Sequence, residues 1–248
     1  MNFTDFFANR SSVRAFSDKE ISAETLEKLI SASSHAPNTG NMQLYSVIAT
    51  LDPEKKKQVA ALHFNQPAAL GCSILLTFCT DTRRFEKWCE QGKTESSLNN
   101  FGGFFMSMMD ACLFAQQFVT LAELEGLGTC FLGTVAYDVK GFSKLLGLPQ
   151  GVVPLVGLAV GYPASPAKPS DRLPIEAILH YETFSDYTPE DIERFYAEKE
   201  ALPENPKFIS ENNKETLAQV YAQVRYPKHL NEKIETDYAD ILGFKTKK

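Results

Sequence analysis

The sequence predicts an α+β protein whose central sheet is covered by helices on both faces. Three apolar runs, at residues 44–51, 73–80 and 152–160, have the length and the Val, Ile and Leu content of buried strands. Segments with the helical spacing of apolar residues lie between them, which is typical of layered helices and sheet. We therefore expect three layers, α/β/α, around a mixed central sheet.

Composition and charge narrow the range of partners. The chain has 248 residues, 44% of them hydrophobic, and a formal net charge of −6. An acidic surface does not attract nucleic acid or anionic lipid in bulk, so we expect neither as a partner. The first ten residues lack the apolar core of a secretory signal, and the five cysteines lack CxxC spacing. We expect reduced thiols, a cytoplasmic location and no metal site.

The first third of the chain carries clear signals for the start and end of helices. Thr4 is expected to cap a short helix that ends near Arg10, and Ser22 to cap a second helix. The second helix should break in the turn formers of residues 35–40. Pro53 then opens another helix, since proline is favoured in a first helical turn.

Residues 101–124 are almost continuously apolar and long enough to span a bilayer. Asp110 and two glutamines interrupt the run, and such groups are costly in lipid. We therefore expect a helix that is buried on all sides, within a domain or between subunits. A loop should begin at residues 131–133, and Asp138 should cap a helix that runs through Leu146.

The composition changes after residue 163, where prolines precede helical stretches at residues 189–200 and 214–224. We expect a core at residues 1–165. Residues 166–248 should form a phosphate-contacting loop and a helical arm that wraps the core or a partner.

Four segments place small polar or basic groups at the edge of an apolar element. In residues 10–16, two arginines four positions apart flank two serines, and guanidinium groups bind phosphate oxygens in pairs. Residues 36–43 offer amide side chains whose donors and acceptors suit the edge of a heterocycle such as a flavin pyrimidine. Taken alone, the first segment is more typical of a solvated turn and the second of an Asx turn.

The other two segments are glycine-rich and basic. The glycines of residues 126–134 allow a backbone to approach a planar ligand closely, although a helix stop followed by a strand would use them too. This segment has neither the GxGxxG nor the GxxxxGK[ST] pattern. Residues 168–174 form a rigid basic loop that, alone, is typical of a surface linker.

Together, these segments resemble the nitroreductase family, most closely its flavin reductase and oxygen-insensitive NADPH nitroreductase branch. The shared patterns are RxSxRxF, APxxxNxQ, GLGxxxxG, a hydrophobic residue before GYP, and a basic KP loop. The likeness covers residues 9–181, and residues 243–247 resemble the tail of that branch. Ser170 and Asp171 lengthen the last pattern, which makes Lys168 less secure than Arg172, and His35 and Leu44 replace other residue types around the second.

The resemblance implies a nitroreductase-like fold, an intertwined homodimer and FMN at the subunit interface. The phosphate, the ribityl chain and the pyrimidine side of FMN would be held by Arg10, Ser11, Ser12, Arg14, Lys168 and Arg172. The flavin loop, contributed partly by the neighbouring subunit, would be Pro37, Asn38, Asn41 and Gln43. The ring would lie against Phe131, Leu132, Gly133 and Thr134.

The resemblance also implies the activity. NADPH or NADH would give a hydride to flavin N5, and a nitroaromatic, quinone or flavin acceptor would then take its place in ping-pong turnover. Arg14 would polarise the flavin, and no catalytic side chain is required. Basic candidates for the 2′-phosphate of NADPH are Arg194, Lys199, Lys207 and Arg225, each also typical of a solvated helix charge.

Two other functions remain open at this point. A non-redox flavin-binding module would keep the phosphate-binding residues but lack a vacant ring face. A cysteine-dependent hydrolase would need a thiol of low pKa, such as that of Cys89, beside a histidine.

Overall fold

The structure is a computed structural model that describes residues 2–243. It divides into two compact units. The larger unit joins Ser12–Ala167 to the chain from Lys233 onward, and the smaller joins the chain up to Ser11 to Lys168–Glu232. The predicted division after residue 165 stays a prediction, and the tail pattern beyond Gly243 lies outside the described residues.

A four-stranded sheet forms the centre of the larger unit. Its strands are β1 (Tyr45–Thr50), β2 (Ile74–Asp81), β3 (Gly128–Leu132) and β4 (Val152–Gly161), in the order β1-β2-β4-β3. All three pairings are antiparallel. Because β1 and β3 are the two edges, their backbones lie three strand spacings apart, about 14 Å.

Helices α2 (Ala23–Ser33) and α6 (Phe101–Leu124) cover one face of the sheet. Leu76 and Phe78 of β2 point to this face, and Leu75 points to the other, as the two-residue period of a strand requires. The second face is covered by α3 (Pro53–Leu62), α4 (Pro67–Gly71) and α7 (Val139–Leu146). The predicted three-layer α+β arrangement is confirmed.

The predicted helix starts are confirmed at three positions. Ser22 and Asp138 accept hydrogen bonds from backbone N–H groups in the first turns of α2 and α7, and Pro53 is the first residue of α3, which Asp52 caps. The prediction for Thr4 is wrong. Helix α1 (Phe3–Ala8) is capped by Asn2, whose side-chain oxygen accepts from the Thr4 N–H at 3.1 Å. Asn is at least as good a cap as Thr, so the helix begins one residue before Thr4.

Two predictions about the sheet are also wrong. Residues 128–132 form β3 rather than leading into a loop at 131, because Gly128 to Leu132 pair with β4, a partner distant in sequence. The sheet is antiparallel rather than mixed. Two helices, α3 and α4, join β1 to β2 and return the chain to the end of the sheet that it left, which gives antiparallel strands.

Helix α6 has a buried face and an exposed face, so within this chain it is not buried on all sides. Asp110, Phe114 and Phe118 are buried, whereas an apolar stripe remains exposed at every fourth residue. By length and composition alone α6 would suffice to cross a membrane. The exposed stripe consists of Phe101, Phe105, Met109 and Leu113.

The smaller unit is mainly helical. The predicted helix at residues 189–200 is confirmed as α8 (Pro189–Glu200), which starts with a capping box between Thr188 and Asp191. The predicted helix at 214–224 is shorter, α10 (Leu217–Val220), and continues as a π-helical turn. Within the described residues, four α-helices were not predicted from the sequence: α4 (Pro67–Gly71) and α5 (Arg83–Gln91) in the larger unit, α9 (Asn205–Glu211) in the smaller, and α11 (Lys228–Leu242), whose residues belong partly to each unit.

Candidate functional site

The first and third sequence segments meet in the larger unit. The backbone N–H of Val13 donates to the carbonyl oxygen of Thr129 in β3 at 2.9 Å. The Val13 side chain fills the space in front of Gly128, where an added Cβ would lie 2.7 Å from it. Glycine at 128 is therefore required by close packing, and the contact places Ser12 and Arg14 beside β3.

The same segment also joins the end of β4. Phe16 forms a bridge with Pro163, and the Ala164 N–H donates to the Ala15 oxygen at 3.0 Å. The Phe16 ring packs over Gly161, where a Cβ would lie 2.8 Å from it. The GYP turn is therefore structural, because it fixes the far end of the RxSxRxF segment.

Two features at this edge of the sheet are open to a ligand. Arg14 is exposed and has no salt bridge within residues 2–243. Gly133, which follows β3, is also exposed, and a Cβ there would meet nothing within 4 Å. A flat molecule can thus approach the backbone beyond Phe131 and Leu132 directly.

His63 adds a buried contact that the sequence did not predict. Its Nδ1 lies 2.7 Å from Oγ1 of Thr134, and its ring packs edge-on against Phe142. Burial lowers the pKa of His63 to about 4, so the ring is neutral at neutral pH. His63 therefore fixes the Thr134 hydroxyl without bringing a charge to it.

The turn after His63 is strained. Phe64 and Asn65 both have left-handed backbone angles, with φ of 57° and 52°. Such angles in residues other than glycine often mark functional sites. Asn adopts left-handed angles fairly often, whereas Phe seldom does. The sequence therefore indicates a turn at Asn65 but not at Phe64.

The predicted flavin loop lies at the opposite edge of the sheet, before β1. Gly40, Asn41 and Gln43 have φ of 54°, 55° and 52°. Each left-handed residue other than glycine costs roughly 1 kcal/mol or more. The amide of Asn38 is used within the loop, since its Oδ1 accepts from the Gln43 N–H at 3.1 Å and its Nδ2 donates to the Ala36 oxygen at 3.2 Å.

Arg84 of α5 holds the same loop from outside, another contact that the sequence did not predict. Its Nη2 donates to the carbonyl oxygens of Gln43 and Tyr45. Asp81 forms an ion pair with the other guanidinium nitrogen, Nη1, at 3.5 Å from its Oδ2. Asn41 and Pro37 are exposed at the tip of the loop.

The predicted phosphate ligands are divided between the units. Arg10, Ser11, Lys168 and Arg172 belong to the smaller unit, and Ser12 and Arg14 to the larger. Arg172 is exposed, and its Nη1 donates to the oxygens of Ser170 at 3.0 and 3.1 Å. Asp171 forms an ion pair with Lys199 at 2.7 Å. Ser170 and Asp171, the two residues that lengthen the loop, therefore each bind a basic side chain.

The basic residues proposed for the NADPH phosphate all have partners in the smaller unit. Arg194 pairs with Asp191 and Lys207 with Glu211 on their own helices, as solvated helix charges do. Arg225 lies over the Phe208 ring, and Lys199 pairs with Asp171.

The thiols do not resemble catalytic groups. Burial raises the pKa of Cys72 to about 11 and that of Cys79 to about 12. No hydrogen bond joins Cys89 to a histidine within residues 2–243. The same part of the chain has no cluster of side chains suited to a metal ion.

The residue types present suit a flavin mononucleotide. The residues predicted to bind its phosphate, Arg10, Ser11, Lys168 and Arg172, all belong to the smaller unit, and cationic and hydroxyl groups suit phosphate oxygens. Its ring needs an accessible backbone, which the space in front of Gly133 supplies.

Comparisons with known proteins agree with this fit. The model of the nitroreductase family matches residues 7–162. The FMN reductase (NADPH) of Bacillus subtilis strain 168 is 34% identical over 186 residues, which are 74% of this chain and 75% of the relative.

Solved structures extend the likeness to the whole chain. A Bacteroides fragilis protein has a TM-score of 0.94 and 46% identity, covering 96% of this chain and 97% of its own. The NfrA1 nitroreductase of B. subtilis has a TM-score of 0.86 and 29% identity, covering 98% and 99%.

Proposed function

This chain belongs to the nitroreductase family and is an NAD(P)H-dependent FMN oxidoreductase, and we propose that it reduces nitroaromatic, quinone or flavin acceptors by ping-pong turnover. The observation that carries the proposal is the open space in front of Gly133, beside a segment fixed by the Val13–Thr129 hydrogen bond. One vacant ring face, used in turn by donor and acceptor, favours ping-pong kinetics.

The residues of the chain would act by binding and orientation. Arg10, Ser11, Lys168 and Arg172 would hold the phosphate, with Ser12 on the ribityl side. Arg14 would supply positive charge at the pyrimidine side, where it stabilises negative charge. When bound, FMN would supply the redox chemistry that links NAD(P)H to the acceptor.

The ring would rest on the segment after β3. Phe131 and Leu132 would exclude water from one face, and Gly133 would bring the backbone close to the ring. The Thr134 hydroxyl, fixed by His63, would reach the ring edge. No catalytic side chain is required of these residues, and the protons that the acceptor takes up would come from solvent.

We further propose that the site is shared between two copies of the chain. The ring-binding segment (residues 131–134) and the loop of residues 38–44 lie at opposite edges of the sheet, whose edge strands are about 14 Å apart. A two-fold related copy can bring its loop to the ring-binding segment of the first. The amides of Asn41 and Gln43 would then reach the flavin from the partner.

The exposed stripe of α6 supports a dimer as well. Phe101, Phe105, Met109 and Leu113 form one apolar row along the helix, and such rows are usually covered in solution. The smaller unit has an apolar cavity of about 860 Å³, lined by residues that include Ile192, Tyr196 and Tyr221. We propose that this arm clasps the partner.

A cytoplasmic location and a preference for NADPH complete the proposal. All five cysteines are free thiols, which suits a reducing compartment. Lys199 and Arg225 remain the candidates for the 2′-phosphate contact, since neither is paired within its own helix.

The test is an absorption spectrum of the purified protein followed by NADPH and NADH oxidation assays with a quinone. We expect an absorption band of bound flavin at about 450 nm, and parallel lines in double-reciprocal plots. Arg10→Ala combined with Arg172→Ala should release FMN, whereas Arg194→Gln should not. Full flavin retention in the double variant would refute the phosphate site, and a flavin-bound protein without NAD(P)H oxidation would favour the non-redox module.

A further inference from the structure

We propose that Asp110, in the middle of α6, is a positioning residue that sets the shape of the loop of residues 38–44 before FMN binds. The inference rests on the function proposed above, in which that loop contacts the flavin. It concerns a residue outside all four sequence segments.

The buried carboxylate of Asp110 binds residues at both ends of the loop. Oδ1 of Asp110 accepts from the backbone N–H and from the hydroxyl of Thr39, each at 2.8 Å. Oδ2 accepts from the Leu44 N–H at 3.2 Å. Only 2% of Asp110 is exposed, so these bonds form away from water.

The loop needs such a restraint because its own backbone preferences oppose its shape. Between the two residues that Asp110 binds, Asn41 and Gln43 have left-handed angles that residues other than glycine seldom adopt. Restraints that fix both ends remove the alternatives to which an unconstrained loop would relax. The contacts of Arg84 add to this restraint at the C-terminal end only.

The position of Asp110 in α6 favours a role in the loop over one in the helix. A buried carboxylate is expensive unless donors surround it, and here all three donors come from the loop and its junction with β1. Phe114, one turn further along α6, stacks on Tyr45 at 4.3 Å. Residue 110 therefore presents acceptors where the chain turns into the sheet.

Asparagine cannot replace this carboxylate in function. Its amide has one acceptor oxygen, and its NH₂ group would face the N–H of Thr39 or of Leu44. Asp110→Asn is almost isosteric, so it tests the hydrogen-bond pattern rather than the packing.

The experiment measures FMN affinity and flavin environment in matched variants of the full chain. FMN is titrated into flavin-free protein with flavin fluorescence as the signal, and visible circular dichroism reports the surroundings of the ring. The control is Ser107→Ala on the same helix, because Ser107 is equally buried but, within residues 2–243, its hydroxyl bonds only to Phe104 of its own helix.

We expect Asp110→Asn to raise the Kd for FMN at least about tenfold, the loss of roughly one charged hydrogen bond, and to change the dichroism of bound flavin. Ser107→Ala should alter neither. If Asp110→Asn lowers the melting temperature but leaves FMN affinity and dichroism unchanged, the residue is merely structural and the proposal is wrong.

A second pair of variants decides the matter if Asp110→Asn does not fold. Thr39→Ala removes one of the three donors and should weaken FMN binding several-fold, whereas Thr39→Ser keeps the hydroxyl and should restore it. Equal affinities in both would overturn the proposal. A wild-type protein that binds no FMN would instead contradict the proposed function, so the two failures are distinguishable.

Discussion

The loop of residues 38–44 and helix α8 are held in opposite ways. The loop adopts left-handed angles that its residues disfavour, and it is fixed by Asp110 and Arg84, both distant in sequence. Helix α8 follows its local preferences and is stabilised by its own capping box and a surface ion pair. Substituting Asp110 or Arg84 should therefore change the shape of the loop strongly. Breaking the surface ion pair of α8 should change the stability of that helix little.

The largest effect is expected where the loop enters the sheet. Phe114 is buried, stacks on Tyr45 and meets Phe78 edge-on at 5.6 Å. Phe114→Ala should lower the free energy of unfolding by about 3–5 kcal/mol, because it leaves a cavity under the loop. Urea unfolding measures this, with Tyr181→Ala, at a residue of the smaller unit that is 80% exposed, as the control. Equal losses of unfolding free energy in Phe114→Ala and Tyr181→Ala would contradict the prediction.

A buried histidine should give a smaller, pH-dependent effect. The pKa of His63 is about 4 in the folded chain, against 6.5 in an unfolded one. Between these values the unfolded state binds a proton that the folded state excludes, so stability falls as the pH drops from about 7 to about 4. The full difference corresponds to about 3 kcal/mol.

Comparing a His63 variant with the wild type separates the contribution of His63 to the pH dependence of stability from that of the carboxylates. His63→Gln should flatten the dependence of the unfolding free energy on pH over that window, whereas His229→Gln, at an exposed position, should leave it as in the wild type. The same slope in His63→Gln as in the wild type would contradict the burial argument.

Arg84 should show an intermediate effect on the loop. Arg84→Met removes the donors to the Gln43 and Tyr45 oxygens, and its guanidinium is half-exposed, so we expect about a fivefold rise in the Kd for FMN. The neighbouring Arg83→Met is the control, since Arg83 makes one long bond to Gln150. FMN titration that found the two variants alike would show that Arg84 does not restrain the loop.

The smallest effect is expected in α8. Arg194→Gln breaks an exposed ion pair with Asp191, and such pairs contribute little. We expect no resolvable change in the urea midpoint followed by far-UV circular dichroism. A clear loss of helix would mean that α8 depends on this pair rather than on its cap.

The same contrast explains what the sequence could predict. Ser22, Asp52 and Asp138 act within four residues of themselves, so their helices were readable from local pattern. Strand β3 was not, because its glycines match a helix stop and only its pairing with β4 makes it a strand. Gly128 and Gly161 belong to the sequence motifs, but the sequence does not show why glycine is required at these positions. The reason is close packing against Val13 and Phe16, which only the fold brings into contact with them.

The candidate site follows the same rule. Through a family resemblance, the sequence motifs predict the residues that would face the flavin. The residues that fix them, such as His63 and Asp110, are joined to Thr134 and Thr39 across 71 positions of the chain in each case. No local pattern indicates such a contact. In the sequence alone, Asp110 indicates only that residues 101–124 do not suit a lipid bilayer.

The most direct test of the account is complementation between two defective chains. One variant, Arg10→Ala with Arg172→Ala, lacks the phosphate contacts, and the other, Asn41→Ala with Gln43→Ala, lacks the loop amides. Each alone should bind FMN poorly. In a hybrid dimer, one site would combine the intact phosphate residues of one chain with the intact loop of the other.

Co-expressed in equal amounts with different tags, the two chains form hybrids in about half of the dimers if pairing is random, so about a quarter of all sites should regain FMN and NAD(P)H oxidation. Recovery near that fraction is expected of a site shared by two chains. Hybrid dimers that bind no more FMN than either parent would contradict a site made from two chains.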